Sequence, residues 1–264
     1  MSFVKAAILA ATAIFATAAT AAPKPSPKPT IVLVHGAFAD SSSWNGVVSR
    51  LTRDGYPVIA AANPLRGAGS DAAYVSSIIK SVDGPAVLVG HSYGGTVITQ
   101  AAAGAANVKA LVFVSAFAPE VGESSFELAG KFPGSVLSGV LAQPVTTPDG
   151  KQDLYIRAQQ FPAAFAGDLP VAAALIAAVA QRPITLQAGE EKVSVAAWKT
   201  LPSWSIYGAK DLAIPPAAMA FMADRAKARK VVTVPGASHV VMISHPREVA
   251  DLIEEAASSI VRRP

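Results

Sequence analysis

The most constraining stretch of the chain is Pro85–Gly95, which reads Pro-Ala-Val-Leu-Val-Gly-His-Ser-Tyr-Gly-Gly. Pro85–Val89 is apolar and short enough for a buried strand, and Val97, Ile98, Ala101, Ala102 and Ala105 follow at helical spacing. A strand that passes into a helix so quickly must turn sharply, and Ser92 sits at the apex. Cβ atoms two residues to either side would crowd that apex, so glycine is expected at 90 and 94, while Gly95 lets helix and strand approach closely. Ser92 Oγ is then held clear of the backbone at a helix N-terminus, where partial positive charge favours a developing anion. The spacing predicts a serine presented as a nucleophile.

A nucleophilic serine needs a base, and the base needs an orienting carboxylate. The chain has four histidines. His35 and His91 lie inside glycine turns and are read as structural hydrogen-bonding residues; His245 precedes Pro246 at a helix start and is read as a surface residue. His239 follows the apolar run Val231–Val234 in Gly236-Ala237-Ser238-His239, at the strand edge where chemistry sits in parallel sheets. It is the expected base. Asp211, in Tyr207-Gly208-Ala209-Lys210-Asp211, stands just past the preceding strand and is the expected acid, with Glu120 as the alternative. Every other aspartate is read as a helix cap or a solvated charge. The order Ser92, Asp211, His239 is the one this strand–turn–helix architecture uses. The backbone amide of Tyr93 is one expected oxyanion donor; that of Ala37, beside Gly36 in the loop after the first strand, is the other. Phe38, Trp44 and the Tyr93 side chain are expected to wall the substrate pocket.

Taken in order, apolar runs at Ile31–Val34, Pro57–Ala62, Pro85–Val89, Val108–Ser115, Ser203–Tyr207 and Val231–Val234 predict strands. Helical patterns separate them. One is capped by Asp40 or Ser41 and carries Trp44, Val47, Val48 and Leu51 on one face; one carries Tyr74, Val75, Ile78, Ile79 and Val82; one is opened by Pro215-Pro216; the last carries Val249, Leu252, Ile253, Ala256 and Ile260. Alternating helices and strands apolar on both faces predict an α/β fold with a parallel sheet covered on each side. Glu120–Pro202 breaks the rhythm, with six prolines from Pro133 to Pro183 and aromatics from Phe126 to Trp198. At about eighty residues it is too long for a plain loop, and a mostly helical cap without buried strands is expected.

The 264 residues include no cysteine, which excludes disulfides and thiolate metal sites. Lys5, the apolar run Ala6–Ala16 and Ala19-Thr20-Ala21 fit a cleaved signal segment over residues 1–21, with export to the periplasm or medium. Proline alternates with lysine and serine over Pro23–Pro29, so residues 22–29 are expected to form an extended, solvated leader. Residues 30–119 and 203–264 then form the core and 120–202 the cap. The net charge of +4 comes from scattered residues, so neither nucleic acid nor stable membrane association is implied. A monomer or homodimer is expected.

His35-Gly36-Ala37-Phe38, Gly90-His91-Ser92-Tyr93-Gly94-Gly95, Gly208…Asp211 and Gly236…His239 together resemble the α/β-hydrolase fold family. The resemblance covers nearly all of Thr30–Val261 and is weakest in the cap. It implies a doubly wound, mostly parallel sheet of about six strands, with a helical cap insertion. Within the family the chain is most similar to small esterases related to plant methyl esterases and hydroxynitrile lyases, and like them it begins without two leading antiparallel strands. Hydroxynitrile lyases carry lysine after the histidine and threonine in the first loop; this chain has Val240 and Gly36. Dehalogenases and epoxide hydrolases carry aspartate where Ser92 stands, and cofactor-free haloperoxidases typically lack a histidine before the serine. The resemblance implies ester hydrolysis through an acyl-enzyme, with no metal or other cofactor, and the Phe, Leu, Val and Ala of the cap, with few charges, suggest a small or medium apolar carboxylic ester as the small-molecule substrate. Lactones, thioesters, amides, C–C bonds and perhydrolysis stay open, as does, in a different class, small-molecule binding without turnover.

Overall fold

The computed structural model describes residues 28–261. The expected signal segment, its cleavage site after Ala21, and leader residues 22–27 lie outside the described residues. Of the last two leader residues, Lys28 is exposed as expected and Pro29 is packed. Pro29 is buried, and the Lys28 ammonium lies 4.1 Å from the centre of the Tyr56 ring, because the Thr30 amide already donates to the Pro85 carbonyl and starts the sheet.

Six parallel strands form the main sheet: β1 (Thr30–Val34), β2 (Val58–Ala61), β3 (Ala86–His91), β4 (Val108–Val114), β8 (Ser203–Gly208) and β9 (Lys230–Val234). The short strands β5 (Val145–Thr146), β6 (Gln152–Leu154) and β7 (Ile184–Thr185) belong to the cap. The order across the main sheet is β2-β1-β3-β4-β8-β9. From β1 the chain first winds toward β2 and then reverses to β3. Right-handed crossovers in opposite directions put their helices on opposite faces. Helix α1 (Asn45–Arg53) accordingly packs against the C-terminal α11 (Pro246–Val261), and α2 (Ala68–Lys80) against α3 (Tyr93–Ala101).

Burial follows position in the sheet. Every residue of β1 after Thr30, all of β3 and all of β8 are buried, the pattern of strands covered on both faces. The edge strands β2 and β9 are only partly covered, so Val231 is exposed although its run is mostly apolar. In α1, Val47 and Leu51 face inward on a turn begun by Asp40, whose carboxylate accepts the Ser42 amide and nucleates the short 3₁₀ segment Ser41–Trp44.

Register fixes what meets at the carboxyl edge. Val34 pairs with Gly90, Val114 with Ile206, and Gly208 with Val234. The loops carrying Ala37, Ser92, Asp211 and His239 therefore leave the sheet at one rim.

Between β4 and β8 the chain forms α4 (Ser125–Gly130), α5 (Leu137–Val140), α6 (Phe161–Phe165), α7 (Val171–Ala180) and α8 (Leu186–Glu190). It is mostly helical as expected but not without buried strands, because β5-β6-β7 form an antiparallel sheet with Leu154 and Ile184 buried. Strands of two or three residues are too short to show an alternating pattern. Arg66, after β2, pairs with Asp153 of β6 at 2.6 Å, and Arg225 of α9 (Pro216–Arg225) grips Glu123 with two bonds of 2.7 and 2.9 Å. These pairs hold the cap to the core. The short α10 (Val241–Ser244) links the His239 loop to α11. Among the described residues no helix is long and apolar enough to cross a membrane.

Candidate active site

Ser92 stands between β3 and α3 with φ 53° and ψ −125°, a backbone conformation that side-chain-bearing residues rarely adopt. The surrounding structure enforces it. The Ser92 amide donates to the Ser115 carbonyl at 3.1 Å, and the Ser92 carbonyl accepts from Gly95 and Phe117. A Cβ on Gly94 would lie 2.3 Å from the Val34 carbonyl oxygen, so the turn sits directly on the end of β1. The expected crowding at this turn is real.

The loop after β1 touches the same turn. A Cβ on Gly36 would stand 2.5 Å from Ser92 Cβ and 2.7 Å from the His91 carbonyl oxygen. The next amide but one, Phe38, donates to the Arg182 carbonyl of the cap at 2.9 Å, which fixes the loop from above. His35 fixes it from below. Its Nδ1 donates to the Gly36 carbonyl at 2.9 Å and its Nε2 accepts the Asn63 amide at 3.0 Å, while Asn63 Nδ2 returns a bond to the His35 carbonyl. Burial holds the His35 pKa below the ordinary histidine value, in keeping with a neutral ring that both donates and accepts. Among the described residues neither the Ala37 nor the Tyr93 amide donates a turn or loop hydrogen bond to the backbone.

Asp211 and His239 meet as the sequence suggested. Asp211 Oδ1 accepts the Ala213 and Ile214 amides, both at 2.9 Å, and Oδ2 lies 2.7 Å from His239 Nδ1. A carboxylate on Nδ1 makes that nitrogen the donor and leaves Nε2 as the basic one. His239 Nε2 is buried and makes no hydrogen bond, so it and Ser92 Oγ are not bonded to one another in this state. The two loops are joined through backbone, Lys210 N–H donating to the Ala237 carbonyl at 2.9 Å, and the side chain of His91, at the end of β3, donates from Nε2 to the His239 carbonyl at 3.1 Å. The His91 and His239 rings lie 4.8 Å apart. Burial, with a smaller contribution from His239, pushes the His91 pKa well below the ordinary value, so His91 stays neutral beside the expected base.

Other expected residues fall elsewhere. Trp44, expected in the pocket wall, is completely buried and stands edge-on to His91 at 6.4 Å, because the turn begun by Asp40 directs it into the core. The Tyr93 side chain is not a wall either. It is buried between α2 and α3, and its hydroxyl donates to Asp71 Oδ2 at 2.8 Å. Asp71, read from sequence as a cap or a solvated charge, is fully buried and also accepts the Arg66 amide. Burial raises its pKa, partly offset by these bonds. Glu120 pairs with Lys199 at 2.7 Å and leaves Asp211 as the carboxylate on His239. His245 is partly exposed, 3.7 Å from Asp168.

Phe38 does line cavities. One of about 360 Å³ lies between it and cap residues Phe126, Ala129, Phe132, Pro133 and Leu137. Another of about 180 Å³ lies beside Phe161, Phe165 and Val240. A larger one, about 610 Å³, is lined by Val108, Pro202 and Arg229, where β4, β8 and β9 begin. It is at the opposite rim from Ser92 and takes no part in this site. Above His239 the cap is closed, with the Phe165 ring 4.7 Å from the imidazole. Asn63, Asp71, Arg182, Asp168 and Phe165 carry no motif, and nothing in the sequence singles them out.

The chain is 26% identical over 257 residues to the alpha/beta hydrolase nvfD of Aspergillus novofumigatus (strain IBT 16806), covering 89% of this chain and 98% of that one. Its fold matches polyneuridine aldehyde esterase with a TM-score of 0.74 at 21% identity, over 86% of this chain and 98% of the other. It matches an extracellular alpha/beta-hydrolase from a Paenibacillus species, described as sharing structural and functional homology with tobacco salicylic acid binding protein 2, with a TM-score of 0.70 at 23% identity, over 87% and 99%. Residues 31–252 match the sequence profile of the alpha/beta hydrolase family. With the six-stranded parallel sheet and the serine turn at its carboxyl rim, that match places the chain in the alpha/beta hydrolase family.

Proposed function

We propose that this hydrolase cleaves small or medium apolar carboxylic esters through an acyl-enzyme on Ser92. The observation that carries this reading is the 2.7 Å bond from His239 Nδ1 to a buried Asp211, which leaves a basic Nε2 at the rim that bears the Ser92 turn. In this mechanism Ser92 Oγ attacks the ester carbonyl while His239 Nε2 takes its proton. Asp211 holds the imidazole orientation and stabilises the imidazolium. The oxyanion is met by the Ala37 and Tyr93 amides, the alcohol leaves with the proton from His239, and water releases the acid by the same steps. None of these steps calls on a cofactor.

The apolar lining beside Phe38 supports an apolar substrate, and about 360 Å³ is at the small end of the range for small-molecule sites, roughly 300–1,000 Å³. An esterase among the structural neighbours agrees with this choice. The test is hydrolysis of p-nitrophenyl acetate, butyrate and octanoate by wild type and Ser92→Ala. Turnover that varies with chain length and falls on the order of 10⁶-fold in the variant is expected. A loss below about tenfold would remove Ser92 as nucleophile. Absence of turnover with stable retention of a ligand would favour the binding-protein reading instead, and activity confined to lactones or C–C substrates would redirect the substrate class.

A further inference from the structure

The loop that carries His239 is tied down at three successive residues. Two ties come from the core: Lys210 N–H to the Ala237 carbonyl, and His91 Nε2 to the His239 carbonyl. The third comes from the cap. Ser238, buried and immediately before His239, donates its hydroxyl to Asp168 Oδ1 and also lies 3.3 Å from the Phe165 carbonyl oxygen. Asp168 belongs to the link between α6 and α7, three residues after the Phe165 whose ring rests on the His239 imidazole. Its other oxygen, Oδ2, is buried, with His245 Nδ1 3.7 Å away.

We propose that Asp168 is a positioning residue for ester cleavage, a cap carboxylate that aligns the His239 loop through the Ser238 hydroxyl and so couples closure of the cap to alignment of the base. Such a role depends on Ser92, Asp211 and His239 acting as proposed above. The geometry supports it because the His239 imidazole is hydrogen-bonded through one nitrogen alone, Nε2 being buried without a partner. Asp211 fixes Nδ1, but a ring held at one nitrogen can still swing about that bond, and small displacements of a general base are costly. The Ser238–Asp168 bond and the Phe165 ring restrain that swing from one short segment. A carboxylate acceptor also gives a stronger bond than a neutral one would.

The experiment compares Asp168→Ala, Ser238→Ala, the double variant and Asp168→Asn with wild type, reading kcat and KM on p-nitrophenyl butyrate and Tm for each. Loss of a hydrogen bond to a charged group is expected to lower kcat roughly tenfold in each single variant, with KM within about twofold. The double variant should be no worse than the weaker single by more than about twofold, since both delete one interaction. Asp168→Asn keeps an acceptor oxygen and should recover most of the loss. A folded Asp168→Ala or Ser238→Ala with wild-type kcat would overturn the inference, as would losses that multiply in the double variant. If Asp168→Ala does not fold, Ser238→Ala decides alone, because it removes only a hydroxyl. Ser92→Ala and His239→Ala in the same assay separate the two levels. Activity surviving in those two would defeat the underlying mechanism, whereas inactive controls beside wild-type Ser238→Ala would defeat only the role of Asp168.

Discussion

Gly36→Ala isolates the contact between the loop after β1 and the Ser92 turn. The added methyl would stand 2.5 Å from Ser92 Cβ and 2.7 Å from the His91 carbonyl oxygen, with the Tyr93 amide nitrogen at 3.1 Å. Favourable carbon–carbon contact needs about 3.5–4.0 Å, so relief requires a shift on the order of 1 Å. No flexible side-chain end is available to supply it. Ser92 is held by β4, and the 36–38 loop is pinned at Phe38 by Arg182. Whichever side yields, the Ala37 amide moves relative to Ser92. An oxyanion donor works only within about 2.7–3.1 Å, and losing one costs about 3–4 kcal/mol, or 10²–10³ in kcat. KM should change little, because the oxyanion forms only along the reaction path. Overpacking itself should cost about 1–3 kcal/mol, and at roughly 2–4 °C per kcal/mol for a domain of this size Tm should fall by about 2–12 °C. Steady-state kinetics on p-nitrophenyl butyrate and a thermal melt measure both. A kcat within about threefold of wild type at an unchanged Tm would refute the claim that this glycine sets the oxyanion loop against Ser92.

Two further outcomes follow from buried polar groups. Tyr93→Phe removes the hydroxyl that donates to the buried Asp71 and should destabilise by about 1.5–3 kcal/mol, since the acceptor is charged and left short of a partner. Its backbone amide is untouched, so kcat should stay within about threefold; denaturant unfolding showing no loss would contradict the assignment. His35 and His91 are held below the ordinary histidine value of 6.5, chiefly by burial. The unfolded chain binds protons there that the fold excludes. Their contribution is therefore fully present above about pH 6.5 and lost as pH falls below it, by up to about 1.4 kcal/mol per pH unit for each ring. His91→Gln keeps a donor toward the His239 carbonyl and should shallow that slope by up to one proton; unchanged slopes in unfolding curves on the acid side would refute it.

Much of this was legible in the chain itself. Gly90-His91-Ser92-Tyr93-Gly94-Gly95 is constrained by sterics within a few residues, and the clash distances at Gly94 show how little freedom it had. Short, mostly apolar runs of four to eight residues marked all six strands of the main sheet, most clearly the central ones, because a strand buried on both faces needs apolar side chains throughout. Asp211 and His239 could be placed at one rim because parallel strands send all their following loops to the same edge. These are local or topological constraints, and a single sequence carries them.

Tertiary structure decided the rest. The strands β5, β6 and β7 are too short for a periodic signal, and they pair across gaps that only the folded cap closes. Trp44 was moved from the pocket to the core, and Asp71 from the surface to a buried partner of Tyr93, by which helix faces meet. Nothing near Arg182 or Asp168 in the chain announces that one pins the Phe38 amide and the other the Ser238 hydroxyl. Each such contact joins residues far apart in sequence. Composition and spacing limit which groups need partners, but the partner itself is chosen by packing, where burial makes an unpaired polar group too costly to leave.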